Sequence, residues 1–124
     1  MPAGTTNPFE KIPPHDAEVE AGVLGAMLCD ERASGVAVEL LVPDDFYVPR
    51  HLILFKLFAE LYQKSPLLDG LFVQSELDRR GLTERVGGKE VVGRLIEQTG
   101  GAANIETYCR IVRERAIERE LLAG

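Results

Sequence analysis

The sequence predicts an all-α fold, a compact bundle of about six helices with short connections. Two observations carry that prediction. Apolar residues recur at spacings of three and four in successive stretches, each bounded by Pro, Gly, Asp or Asn. No stretch alternates apolar and polar residues long enough to compete as a strand, and the run Val36-Ala37-Val38 is too brief. The chain has 124 residues, of which 45% are hydrophobic and 27% charged. A chain of that size buries roughly two-thirds of its unfolded surface, which suffices for one self-sufficient core.

The elements follow in order. Residues 1–14 hold Pro2, Pro8, Pro13 and Pro14 among small polar residues and read as a flexible tail ending in a stiff Pro-Pro. Asp16 is the predicted N-cap of a first helix, Ala17 to Leu28, with Ala21, Val23, Leu24, Met27 and Leu28 along its apolar face. Gly22 and Gly25 lower its intrinsic propensity and offer room for the close approach of another helix. A second helix is predicted from about Glu31 to Leu41, ended by Pro43. Pro43-Asp44-Asp45-Phe46-Tyr47 reads as a turn with an aromatic anchor.

The clearest helix runs from about Pro49 to Lys64, with Leu54, Phe55, Phe58, Leu61 and Tyr62 on one side and Lys56, Glu60 and Lys64 on another. Ser65-Pro66 breaks it. Asp69 caps the next helix, which runs to Arg80 and stops at Gly81. Gly87-Gly88 precedes a helix from about Lys89 to Gln98, with Val91, Val92, Leu95 and Ile96 facing inward. Asn104 caps a last helix that runs to the chain end. Its apolar members are Ile105, Tyr108, Ile111, Val112, Ile117, Leu121 and Leu122, set among seven charged residues from Arg110 to Glu120. No convincing stop signal precedes Gly124, so the chain reads as a fragment of something longer.

Composition narrows the function classes. There are 20 acidic and 14 basic residues, a net charge of −6. Dedicated nucleic-acid modules carry a basic face, so a direct electrostatic grip on DNA or RNA is disfavoured. Neither a membrane span nor a secretory signal is present in the sequence. Cys29 and Cys109 are read as two buried or half-buried free thiols in a reducing cytoplasm. Residues 1–49 hold nine acids against two bases. That imbalance reads either as solvated helix starts and turns or as an acidic face for a basic protein partner.

Chemical motifs are few. His15 and His51 lack metal-ligand spacing to any other His or Cys, and Ser34, Ser65 and Ser75 lack a nucleophile context. Gly87-Gly88-Lys89 fails as a phosphate loop, because position 83 is Thr and the residue after Lys89 is Glu90. Asp44 and Asp45 are the one paired-carboxylate candidate for an enzyme site, and burial is the property that tests them. Arg79-Arg80 and the arginines from Arg110 to Arg119 are the candidates for a DNA-binding regulator, the latter matched acid for base. No catalytic, cofactor-binding or metal-ligating residues are assigned. What remains is an all-α interaction module ending in an amphipathic helix that needs a partner.

Several motifs carry a family resemblance. Pro13-Pro14-His15-Asp16-Ala17-Glu18-Val19-Glu20, followed by Val23-Leu24-Gly25, resembles the opening of bacterial replicative DNA helicases of the DnaB type, with Val19 where Ala is usual. Asp44-Asp45-Phe46-Tyr47 with His51 and Phe55, then Leu68-Asp69, then Gly87-Gly88, resemble further family motifs in the family's order. So do Ala102-Ala103-Asn104 with Tyr108, Ile111-Val112-Arg113-Glu114, and the closing Arg119 to Leu122. The resemblance covers about Ile12 to Leu122.

It implies an N-terminal helicase domain, with a globular head over residues 15–101 and the first part of an extended helical hairpin over 102–124. In that family such domains pair through hairpins and heads into a collar on a hexamer, and the collar recruits the C-terminal domain of the primase. ATP, magnesium and duplex unwinding belong to an ATPase domain outside this chain, and the location is cytoplasmic. Candidate interface residues are Ile111, Ile117, Leu121 and Leu122, with Val91 as a further contact where some members place an aromatic. Little or no direct DNA binding by this chain is expected. The alternative is a standalone all-α interaction or DNA-binding regulatory module.

Overall fold

A computed structural model describes residues 12–123. These form six α-helices and one 3₁₀ turn, with no strand among the described residues: α1 (Ala17–Cys29), α2 (Glu31–Leu40), the turn Pro43–Asp45, α3 (Pro49–Lys64), α4 (Gly70–Arg79), α5 (Val91–Gln98) and α6 (Ile105–Ala123). The expected all-α bundle of about six helices is what is observed. The flexible tail expected over residues 1–14 falls mostly outside the described residues. Its last three residues are described, and the Pro14 carbonyl accepts a hydrogen bond from Arg119.

Helix α1 is the hub, packed against α2, α3, α5 and α6. Val23, Leu24, Gly25, Ala26, Met27 and Leu28 are all buried, so the helix is enclosed on nearly every side. Its two glycines serve that role. A Cβ on Gly25 would fall on the Leu95 carbonyl oxygen and 2.7 Å from Thr99 Cβ, so only glycine lets α5 cross there. A Cβ on Gly22 would lie 3.4 Å from the Tyr108 ring of α6. The room that the small residues offered is therefore used twice.

Capping explains most boundaries. Asp16 Oδ1 accepts the Val19 amide at 3.1 Å and Asp69 Oδ1 the Leu71 amide at 2.8 Å, both at the expected sites. Asp30 also caps, accepting the Arg32 amide at 2.9 Å and separating α1 from α2 by a single residue. That cap was not anticipated, although Asp is an ordinary N-cap residue. Gly81 (φ 68°) follows α4 as the C-terminal signal predicted. α5 begins two residues later than Lys89, because Gly87 (φ 118°) and Gly88 (φ 96°) take left-handed conformations and Lys89-Glu90 complete the turn.

Phe46 stacks on Phe55 with ring centroids 4.8 Å apart, so the aromatic anchor of the turn inserts beside α3. On α6 the inner stripe is Ile105, Cys109, Val112 and Ala116, at helical spacings of four, three and four. Ile111 is half-buried, while Ile117, Leu121 and Leu122 face solvent. The bulky apolar residues thus drew attention away from two smaller ones that make the contact. Cys29 is exposed rather than half-buried, and only Cys109 is enclosed. Burial pushes the Cys109 thiol up to about 12, with the Glu106 charge adding to it, which leaves it inert.

Candidate protein-interaction surface

The sequence candidates separate into two places. Ile117, Leu121 and Leu122 lie together at the far end of α6, 41%, 76% and 71% exposed. Their positions put Ile117 and Leu121 one turn apart on one face, with Leu122 beside them. Ile111 lies nearer the head on the same helix and is half-buried. Val91 is elsewhere. It is only 8% exposed and lines a cleft of about 280 Å³ between the starts of α1 and α3 and the side of α5, with Leu54, Val86 and Leu95. Val91 is therefore a buried wall residue rather than part of an exposed surface: it precedes Val92 at the start of α5, and both side chains turn into the core.

Beside the upper half of α6 runs a shallow, mostly apolar groove of about 240 Å³ lined by Leu40, Cys109, Arg110, Arg113 and Glu114. Sequence reasoning missed Leu40, because its exposure depends on α2 ending where it meets α6. It also missed Leu67, Leu71 and Phe72, which are exposed around the start of α4, where Gly70 packs against Val92 and Ile96. A solvent-facing Leu at the start of a capped helix was the available signal.

A polar frame holds α6 and α3 to the head. Glu20 on α1 is almost fully buried, yet its carboxylate is saturated with donors. Oε2 accepts the Tyr47 amide at 2.8 Å, and Oε1 accepts the Val48 amide at 3.2 Å and His51 Nδ1 at 2.9 Å. Val48 is the N-cap of α3 and has no capping side chain of its own. A residue from another helix thus supplies the cap that Pro49 and Val48 cannot. Burial pushes the Glu20 carboxyl up. The hydrogen bonds from His51, Tyr47 and Val48, with the His51 charge, outweigh it and hold the group below the ordinary carboxylate range.

Asp45 is the second node. Its Oδ2 accepts the Val42 amide at 2.9 Å, and its Oδ1 accepts Arg113 Nη1 at 2.6 Å. Arg119 Nη2 donates to the Asp45 carbonyl at 2.7 Å. Asp44 is exposed and Asp45 buried, so the two carboxylates do not face one another as a catalytic pair. Asp45 is committed to a turn and an ion pair, which removes the observation that favoured an enzyme site. His51 is likewise committed to Glu20.

Four of the nine acids of residues 1–49 are explained from within: Asp16 and Asp30 cap helices, Asp45 closes a turn and Glu20 is buried. Three of the four arginines of α6 are spoken for as well, Arg110 being the exception. Arg113 pairs with Asp45 and Arg115 with Glu118 at 2.9 Å, and Arg119 binds two carbonyls. Few are left for phosphate contacts. Among the described residues no group of three or more His, Cys, Asp or Glu is placed to hold a metal ion, and no helix is long and apolar enough to cross a membrane.

Comparison with known proteins agrees with this architecture. The family described as DnaB-like helicase N terminal domain matches residues 12–114. The chain is 39% identical over 114 residues to the replicative DNA helicase DnaB of Mycobacterium leprae (strain TN), covering 92% of this chain and 19% of that protein. It is 36% identical over 109 residues to the replicative DNA helicase DnaB of Rhodothermus marinus, covering 88% and 12%. Against that of Geobacillus stearothermophilus it is 35% identical over 113 residues, covering 91% and 25%. The chain thus spans a quarter or less of the length of these relatives. The fold is similar to the crystal structure of the N-terminal domain of DnaB helicase from Mycobacterium tuberculosis, with a TM-score of 0.85 and 39% identity over 90% of this chain and 78% of that one.

Proposed function

Since the chain belongs to the family of DnaB-like helicase N-terminal domains, we propose that it is the assembly and primase-docking domain of a replicative hexameric helicase. In this reading α6 is the first arm of a helical hairpin, and a second copy of the domain covers its far end. The C-terminal domain of the primase docks on the resulting collar. ATP and magnesium binding, and the unwinding of duplex DNA, are assigned to an ATPase domain outside these residues. The domain works in the cytoplasm and makes little direct contact with DNA, in keeping with its net charge of −6 and the paired arginines of α6.

The observation that carries this reading is the exposure of Ile117, Leu121 and Leu122 on one helix end. A helix draws most of its stability from packing, and large side chains clustered in water mark an interface more often than a free surface. Ile111 extends the same element toward the head, and Val91 lies apart from it, on the wall of the cleft between α1, α3 and α5.

The test is Leu121→Glu in the full-length helicase. Light scattering across concentration reads assembly, and a binding titration with the primase C-terminal domain reads docking. A charge forced into a covered apolar contact weakens it by roughly tenfold or more. Unchanged assembly together with unchanged primase affinity would remove this end of α6 from the interface.

A further inference from the structure

Past Ala116, α6 buries no further apolar side chain, yet it continues to Ala123. What ties this stretch to the head is Arg119. Its Nη1 donates to the Pro14 carbonyl at 2.8 Å and its Nη2 to the Asp45 carbonyl at 2.7 Å. Its guanidinium carbon lies 5.4 Å from the centroid of the Tyr47 ring. That ring also stacks on His15, with centroids 4.2 Å apart, and His15 Nδ1 donates back to the Pro13 carbonyl at 2.9 Å. One side chain therefore joins three segments remote in sequence: the residues before α1, the turn leading into α3 and the far end of α6.

We propose that Arg119 is a latch that couples the segment before α1 to the angle at which the end of α6 leaves the head. The argument rests on the kind of contact. Apolar burial is non-directional and survives small rotations of a helix. Charge-assisted hydrogen bonds to two carbonyls, and a cation over a ring face, require one orientation and are lost together. Arg113 holds the middle of α6 to the Asp45 side chain and Ala116 is still buried, so only the stretch beyond Ala116 depends on Arg119 for its attachment. In the latched state residues 13–16, Tyr47 and the end of α6 are ordered as one unit. In the unlatched state the end of α6 and the segment before α1 loosen together, while the helices around α1 stay packed. Anything that draws residues 13–16 away from Arg119 shifts the population toward the free helix end. The inference is independent of what the apolar residues of α6 bind.

Hydrogen–deuterium exchange on the 124-residue chain tests it, comparing the parent with Arg119→Ala, Tyr47→Leu and, as a control, Leu121→Ala. Leucine at position 47 keeps the backbone amide that Glu20 accepts, so the second variant removes the ring without removing the α3 cap. Arg119→Ala and Tyr47→Leu are each expected to speed exchange roughly tenfold both at residues 116–120 and at Val19 and Glu20, whose amides are held by the side chain and the carbonyl of Asp16, with the remaining amides of α1 and those of α3 unchanged. Leu121→Ala is expected to change neither segment. Repeating the series at tenfold lower concentration removes protection due to self-association, which depends on concentration where the latch does not. Faster exchange at residues 116–120 alone, no change at either segment, or equal acceleration throughout the core would each overturn the latch.

Discussion

Glu20 Oε1 and His51 Nδ1 meet at 2.9 Å across 31 positions of sequence, with both side chains almost sealed from solvent. The pair joins the hub helix α1 to the first turn of α3. It also completes the set of donors around the Glu20 carboxylate, which accepts the Tyr47 and Val48 amides as well. Removing either partner leaves polar groups buried without a counterpart, and that cost exceeds the worth of the pair itself.

Glu20→Ala is therefore expected to destabilise the fold by about 3–5 kcal/mol. Glu20→Gln keeps the shape but turns one acceptor into a donor facing donors, and should cost about 1–3 kcal/mol. Urea unfolding followed by circular dichroism reads both. A loss below ~0.5 kcal/mol for Glu20→Ala would mean that the pair and the cap contribute nothing net.

Acid should weaken the protein through the same residue. The folded-state pKa of Glu20 lies below its unfolded value, so its contribution is complete above about pH 4.3, the ordinary glutamate value. It is lost progressively as the pH falls through the depressed folded-state value. Glu76, held at about 2 by its hydrogen bonds to Arg79 and Arg80, adds to the slope in the same direction. The urea midpoint is expected to drop between about pH 5 and pH 2, and to drop less steeply in Glu20→Gln, which cannot titrate there. Parallel slopes in the parent and the variant would assign the acid sensitivity to other carboxylates.

Two glycines of similar helical context should respond in opposite senses. Gly25 abuts the Leu95 backbone, whereas Gly93 has no atom within 4 Å of a built Cβ. Gly25→Ala forces α5 away from α1 and is expected to cost about 1–3 kcal/mol. Gly93→Ala lies in open space on a helix and should stabilise by about 0.5–1 kcal/mol. Thermal unfolding of the two variants checks the sign of each, and a stabilised Gly25→Ala would contradict the close crossing of α1 and α5.

Much of the fold was legible in the sequence because its signals are local. Asp16 and Asp69 cap, Gly81 and Gly87-Gly88 turn the chain, Pro49 opens α3 and helical periodicity marks each face. These depend on residues three or four positions apart, and a reader of the chain sees them. The exposed end of α6 was legible for the same reason, since Ile117, Leu121 and Leu122 share a helix with no partner in view.

Only the tertiary structure decided which partners lie far apart in the chain. That Glu20 caps α3, that Cys109 and Ala116 rather than Ile117 meet the core, that Val91 is buried, and that Arg119 reaches Pro14 and Asp45 all depend on how α1, α3, α5 and α6 are oriented about one another. Helix orientation is set by the sum of many weak side-chain contacts, and no single position encodes it. The sequence by itself determined the helices, the family resemblance and the apolar end of α6. Packing of α2, α3, α5 and α6 against α1 determined which polar groups would find one another.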